Sequence, residues 1–357
     1  MATKYEKLAN IIKESIPSLI RQGQLKLPTE ASYCNKYNLS RETVRKAIEL
    51  LVSEGIIYSI QGSGTFIRPY NLNSNRRDVA IILSSSTEYI YPALITDISN
   101  KLSQKDYNPY IYINDGDIST ERNILLSLDT DNLAGIIAEP VKTFLPTPNI
   151  DVYERFNSLN IPVIFIKSSY SNLDNFIYIR SDDNYGGYLA AKHLIGKGHQ
   201  RIALFFNRDT QEGLERVSGA LAAITDSSLA VEESHDYWYY DEQLARLRYS
   251  EDISFINTFI DTKMTDTTAC ICQSDEIAYF LIRELNNRKI SVPNDYSIIS
   301  FDNSYLSDFG KTPITSLAND DNTIAAIACD TLFRLINGES ASSHKLSWHI
   351  VTRQSDG

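Results

Sequence analysis

Arg41 and Arg45 lie four residues apart in the stretch SRETVRKAIELLVSEGIIYSIQGSGTFI, residues 40–67, with Thr43 between them. On a helix this spacing sets two guanidinium groups one turn apart on the same flank. Guanidinium forks and a threonine hydroxyl suit phosphate oxygens and base edges in a major groove. Gln61, Gly62, Ser63 and Gly64 follow as a polar tight turn, a shape that can lie along an adjacent backbone or minor groove. Lys4 and Tyr5 stand ready to add phosphate contacts. This is recognition chemistry, and no bond is made or broken.

The elements that must hold these groups are also legible. Ser40 is a good N-cap, and Val44, Ala47, Ile48, Leu51 and Val52 make one apolar stripe below the arginines. Gly55 is expected to end that helix, with strands over 56–60 and 65–67 closing a hairpin. Taken alone, the pattern also describes a solvated amphipathic helix and an ordinary hairpin. Upstream, a helix over 4–21, a short strand at 26–27, a Thr29 cap, a helix over 31–37 and a turn at Asn38-Leu39 complete an order of helix, strand, helix, turn, helix, hairpin. That order and the motif PTE…SRxTVRxAxxxLxxxGxxxxxxGxGTF resemble the GntR family of winged helix-turn-helix repressors, over roughly residues 4–66.

Length and charge fit a second, different unit behind this head. The 357 residues exceed one hydrophobic core. The net charge of −11 is unevenly spread: residues 1–68 carry +4 and the remainder −15, so only the first segment is fitted to meet phosphate. Four cysteines give no disulfide framework, which points to a reducing cytoplasm; Cys270 and Cys272 read as buried thiols, and no metal site is expected. The amino terminus does not read as a signal peptide, and no apolar run is long enough to span a membrane. GxSxG, GxxxxGK[ST] and HExxH are absent, so no catalytic residues and no cofactor are expected.

Residues 69–77, polar with one proline and three asparagines, read as a linker. From residue 78 to 357 the pattern becomes α/β. Strands are expected over 79–83, 110–113, 133–138, 162–166, 201–206, 268–272 and 296–301. Helices are expected over 91–104, 120–128, 151–159, 184–195, 212–224, 241–260 and 275–286. Continuous apolar strands separated by helices imply parallel sheets covered on both faces, here as two lobes with a cleft between them.

The motifs Asp183-Asn184-Tyr185-Gly186-Gly187, Arg216-Val217-Ser218-Gly219, Gln273-Ser274-Asp275-Glu276 and Phe301-Asp302-Asn303 carry a resemblance to the LacI/GalR repressors and their periplasmic sugar-binding relatives. Glu139-Pro140-Val141-Lys142 and Asp209-Thr210-Gln211 look like the arabinose-responsive repressors of Gram-positive bacteria. The resemblance implies a multidomain chain, with an α+β winged head followed by a two-lobed periplasmic-binding-protein-like domain crossed near residues 180, 302 and 319. The LacI-type head and hinge helix are absent, and Ser300 stands where that family usually has glycine.

By the same resemblance, Arg216 and Asp275 would bind sugar hydroxyls, and Tyr89 and Tyr91 would offer an aromatic face. Glu139 and Lys142 would face the cleft, Trp238 would wall it or fill a core, and Gln211 and Asp302 would contribute at its edge. The implied partners are double-stranded operator DNA, a sugar effector with L-arabinose first among pentoses and hexoses, and a second copy of the chain. A non-regulatory carbohydrate-binding protein would need export. A pyridoxal-phosphate enzyme behind a GntR head would need a Schiff-base lysine motif.

Overall fold

The structure is a computed structural model, and it describes all residues except 1–2, 22–23, 25, 54–55, 61–63, 68–75, 88, 232–234 and 320–322. The expected helix end at Gly55, most of the hairpin turn and most of the linker lie outside the described residues.

The head contains α1 (Lys4–Arg21), α2 (Glu30–Tyr37), α3 (Arg41–Ser53), β1 (Ile57–Ile60) and β2 (Gly64–Ile67). Thr29 caps α2 by accepting from the Ser32 amide at 3.2 Å. Asn38 closes the helix in the left-handed conformation, with φ of 50°, and turns the chain toward α3. The α3 stripe of Val44, Ala47, Ile48 and Leu51 packs on Leu8, Ile12 and Ile16 of α1 to form the head's core. β1 and β2 pair antiparallel from Ile57↔Ile67 to Ile60↔Gly64; where a short strand is expected at 26–27, Lys26 makes a single antiparallel bridge to Phe66.

The first lobe begins with β3 (Asp78–Leu83), α4 (Tyr91–Ser103), β4 (Asn108–Ile113), α5 (Ile118–Ser127), β5 (Leu133–Ala138), α6 (Ile150–Ser158), β6 (Val163–Lys167) and β7 (Ile177–Ser181). The second holds α7 (Asp183–Gly196), β8 (Ile202–Asn207), α8 (Gln211–Asp226), β9 (Asp236–Tyr239), α9 (Asp241–Ser250), α10 (Ser254–Lys263), β10 (Ala269–Cys272), α11 (Asp275–Asn287), β11 (Ser297–Phe301), α12 (Leu306–Phe309) and β12 (Thr315–Ala318). Then α13 (Thr323–Ile336) returns to the first lobe and packs beside α4, β13 (His344–Leu346) joins the first sheet, and β14 (His349–Val351) ends in the second.

The sheets run β13-β7-β6-β5-β3-β4 and β14-β12-β11-β10-β8-β9, parallel except where β14 meets β12. Strands such as β5 and β10 are buried along their whole length, as double-sided cover requires. Three expectations need correcting. No crossing occurs near Asp302, because β11 and β12 are parallel neighbours; the third passage instead joins β13 to β14. The helix expected over 241–260 breaks where Glu251 adopts φ of 53° and Asp252 Oδ1 accepts from the Ser254 amide. A strand not expected from sequence, β9, forms the edge of the second sheet.

Candidate functional site

In the head, Ser40 Oγ accepts from the Thr43 amide at 3.3 Å and lies 2.8 Å from the Thr43 hydroxyl, capping α3. Because Val44, Ala47 and Ile48 face inward, Arg41 and Arg45 are left exposed on the outer flank. Arg45 pairs with Glu49 at 3.1 Å while both remain largely in solvent, an interaction weak enough to yield to a phosphate. Thr43 is half-buried, as is Tyr5, while Lys4 is exposed. Gly64 opens β2; Gln61, Gly62 and Ser63 lie outside the described residues.

A cleft of about 730 Å³ lies between the lobes. On the first lobe, β3, β5 and β6 deliver Ser84, Glu139 and Lys167 to one point. The Glu139 carboxylate accepts from Lys167 Nζ (2.6 Å), Tyr91 Oη (3.0 Å), the Ser84 amide (3.0 Å) and the Ser84 hydroxyl (2.8 Å). Burial opposes its ionisation, but the Lys167 ammonium and these donors outweigh it and hold the carboxyl below the ordinary range. Lys167 also lies 4.7 Å from the Tyr91 ring centre, so that ring is backed by a cation.

On the second lobe, α7 and α8 touch backbone to backbone. A Cβ on Gly187 would fall 1.9 Å from the Arg216 carbonyl oxygen, and one on Gly219 would fall 1.8 Å from that of Asn184. That approach brings Arg216 Nε to 2.7 Å from Asp183 Oδ1, with Arg216 Nη1 donating to the Gln273 carbonyl. The guanidinium lies over Phe301 at 4.1 Å, and Arg216 as a whole is only 6% exposed. Glu212, one turn before Arg216, lines the same wall; burial and then the Asp183 charge push its carboxyl up to about 7. Burial likewise lifts Asp183 to about 6 despite Arg216. Among the described residues, Glu212 Oε2, Asp183 Oδ2 and the Gln273 side-chain oxygen have no hydrogen-bond partner.

Contacts cross the cleft. Tyr89 donates to Asp302 Oδ2 at 2.7 Å, and Lys142 reaches Asp241 at 2.7 Å and Asp209 at 3.4 Å. Tyr89, Lys142, Lys167 and Asp302 all hold positive φ (54°, 50°, 67° and 95°), backbone strain of roughly 1–3 kcal/mol each of the kind that gathers at binding sites.

Tyr89, Tyr91, Glu139, Lys142, Arg216 and Asp302 therefore meet around one space. Three expected residues do not. Trp238 points from β9 into the core beside Phe206; its neighbour Tyr239, on the opposite face of the strand, is 1% exposed and packs with Phe205 and Phe255 where it also borders the cleft. Asp275 is fully buried behind the wall, taken up by the Ser300 hydroxyl and the Ser304 amide (2.6 Å). The Gln211 side chain turns to Glu215 at 2.8 Å, and only its backbone faces the first lobe. Sequence reasoning passed over Lys167 and Glu212, each of which sits at the end of a strand or the start of a helix facing the cleft. Cys270 and Cys272 lie in the core with their sulfurs 3.7 Å apart.

A winged helix-turn-helix head ahead of a two-lobed domain with a polar cleft defines a DNA-binding regulator that carries its own ligand receptor. Residues 4–67 match the family described as bacterial regulatory proteins, gntR family, and residues 191–355 match the periplasmic binding protein-like domain. The arabinose metabolism transcriptional repressor of Halalkalibacterium halodurans is 30% identical over 89% of this chain and 85% of its own length. That of Geobacillus stearothermophilus is 30% identical over 92% and 91%. Among solved structures, the transcriptional regulator CelR–cellobiose complex superposes with a TM-score of 0.65 over 95% of this chain and 94% of its own, at 18% identity. The Alkaliphilus metalliredigens periplasmic binding protein/LacI regulator complexed with D-xylulofuranose reaches a TM-score of 0.66 over 78% of this chain and 98% of its own, at 23% identity. This chain belongs to the family of the arabinose metabolism transcriptional repressors. Among the described residues, no helix is long and apolar enough to cross a membrane.

Proposed function

We propose that this protein represses genes of sugar use by holding operator DNA through its winged head, and lets go when a small sugar occupies the cleft. L-arabinose is the sugar we assign, and a cytoplasmic homodimer is the working form. The observation that carries the effector half is the second wall. Among the described residues, Glu212 Oε2 and the Gln273 side-chain oxygen are acceptors without donors, set beside the buried Arg216 fork. A polyhydroxylated ring supplies several donors at fixed angles, and Tyr89 and Tyr91 offer surfaces for its apolar faces. The names of the two bacterial relatives support arabinose.

Arg41, Thr43 and Arg45 of α3 would enter the major groove, with Gln61, Gly62, Ser63 and Gly64 on the neighbouring backbone and Lys4 and Tyr5 on phosphate. Two heads related by a two-fold axis require a near-palindromic operator. Coupling between the sites is reciprocal, so operator must weaken sugar binding by the factor by which sugar weakens operator binding.

The test is calorimetry of the full-length protein against a panel of aldoses, followed by operator titration with and without the sugar that binds. L-arabinose should bind and weaken the DNA complex; equal sugar affinity with and without operator would break the coupling. Arg45→Ala should lose operator binding by at least about tenfold while sugar binding is unchanged.

A further inference from the structure

The loop that carries Glu139 and Lys142 to the cleft also bridges it to the other lobe. Residues 139–143 leave the end of β5, and Lys142 and Thr143 on that loop both reach the other lobe. Lys142 Nζ pairs with Asp209 and Asp241, and the Thr143 hydroxyl accepts from the Gln211 amide at 3.0 Å, the first residue of α8. The loop is braced from behind. The Val141 amide between these contacts and the strand donates to Tyr170 Oη at 2.8 Å, which in turn donates to Glu121 Oε1 at 2.8 Å. Glu121 also accepts from Tyr153 Oη and from Asn149 Nδ2, each at 2.8 Å.

Glu121 has no exposure and Tyr170 only 3%, and they sit within the apolar cluster of Tyr153, Phe156, Phe165 and Phe176. A buried carboxylate is costly unless its oxygens are satisfied, and Tyr170 Oη is one of the three donors that satisfy this one. Tyr170 Oη, as an acceptor, takes the Val141 amide in the same arrangement in which Lys142 meets its two aspartates. The positive φ of Lys142 is then held by contacts on both sides of it.

We infer that residues 140–143 are a clasp between the lobes, and that Glu121 and Tyr170 are positioning residues which set it from within the first lobe without touching ligand. The clasp favours the closed arrangement of the cleft, so weakening its brace loosens contacts on the far lobe and lowers affinity for whatever the closed cleft holds.

Hydrogen exchange resolved to single amides, on the full-length protein without sugar, tests this directly. Tyr170→Phe keeps the ring and removes the brace; Lys142→Met removes the bridge. Each should speed exchange at Gln211 about tenfold, while the Gly213 amide, bonded to Thr210 Oγ1 within its own lobe, is unchanged. Unchanged exchange at Gln211 in both variants would overturn the proposal, as would equal acceleration at Gln211 and Gly213, the sign of general loosening. A second arm rests on the effector reading. Each substitution should weaken sugar binding about fivefold, and the double variant no more than Lys142→Met alone. Losses that multiply would overturn the clasp, whereas a wild-type protein that binds no sugar would sink the effector reading and leave the exchange result standing.

Discussion

On the first lobe's wall, Glu139 receives four hydrogen bonds, and its counter-ion Lys167 is held at 2.6 Å. On the second lobe's wall, Arg216 is gripped by Asp183, yet Glu212 and Asp183 each keep an oxygen without a donor among the described residues. Both walls are built from strand ends and buried charge, but only the first is complete in itself. The consequence shows in the protonation behaviour. Glu139 is held below the ordinary carboxyl range, and Glu212 is pushed up to about 7 by burial and its acidic neighbour. A wall with unmet acceptors is where a donor-rich ligand gains most, and also where protons act in the ligand's place.

The largest expected effect comes from Arg216, which joins α7, α8 and the β10 end of the sheet. Arg216→Met should cost about 3–5 kcal/mol in stability and abolish sugar binding, because Asp183 would then be a buried charge without a partner. Chemical denaturation and calorimetry read the two losses. A loss below about 1 kcal/mol would mean the second wall tolerates an empty centre, and the contrast between the walls would fail.

A smaller effect, of opposite sign on the two walls, follows from protonation. A carboxyl whose folded pKa is raised contributes its stability below the unfolded value and loses it as pH rises through the folded value. For Glu212 that window runs from 4.5 to about 7. Above it the wild-type protein carries a buried anion that glutamine would not. Glu212→Gln should therefore stabilise the fold at pH 8 by on the order of 1–3 kcal/mol, with the gain shrinking toward pH 5. Glu139→Gln should destabilise across neutral pH. Glu139 has a depressed pKa, so its contribution is present above the unfolded value and is lost only as pH falls through the folded one. Denaturation midpoints of both variants between pH 5 and 8 check the crossing of signs; parallel curves would remove the distinction.

The head and the cleft were not equally legible from sequence. In the head, capping, apolar stripe and arginine spacing all fall within one continuous stretch, so local periodicity suffices to place Arg41 and Arg45 outside. The cleft is assembled from strand ends far apart in the chain. Its membership was traceable where a motif marked it, as at Arg216 and Asp302, but not where a side chain's direction decided it. Trp238 and Tyr239 differ by one residue, and strand alternation sends them into cores on opposite faces of the sheet, of which only the Tyr239 side also borders the cleft. The third lobe crossing was equally hidden, because β13 and β14 are three residues each and their pairing partners lie far back along the chain.

Ser300 gives the smallest effect and the finest probe of the second wall. Its hydroxyl donates to Asp275, whose carboxyl is lifted to about 6 by burial and by Asp302 even with this bond pulling the other way. A glycine at this position would leave that oxygen without its side-chain donor, so the serine shares with the Ser304 amide the holding of Asp275 behind the wall. Ser300→Ala should cost about 1–2 kcal/mol at pH 8, where the carboxylate is charged and needs the donor. At pH 5 the native carboxyl holds a proton and the cost should fall by at least half. Sugar affinity at pH 8 should change less than about threefold, because the Ser304 amide still fixes the carboxylate behind the wall at 2.6 Å. An equal stability loss at both pH values would mean that the hydroxyl serves packing alone. A large loss of sugar affinity would mean that Asp275 reaches the cleft after all, and the second wall would then have one more acceptor facing the ligand.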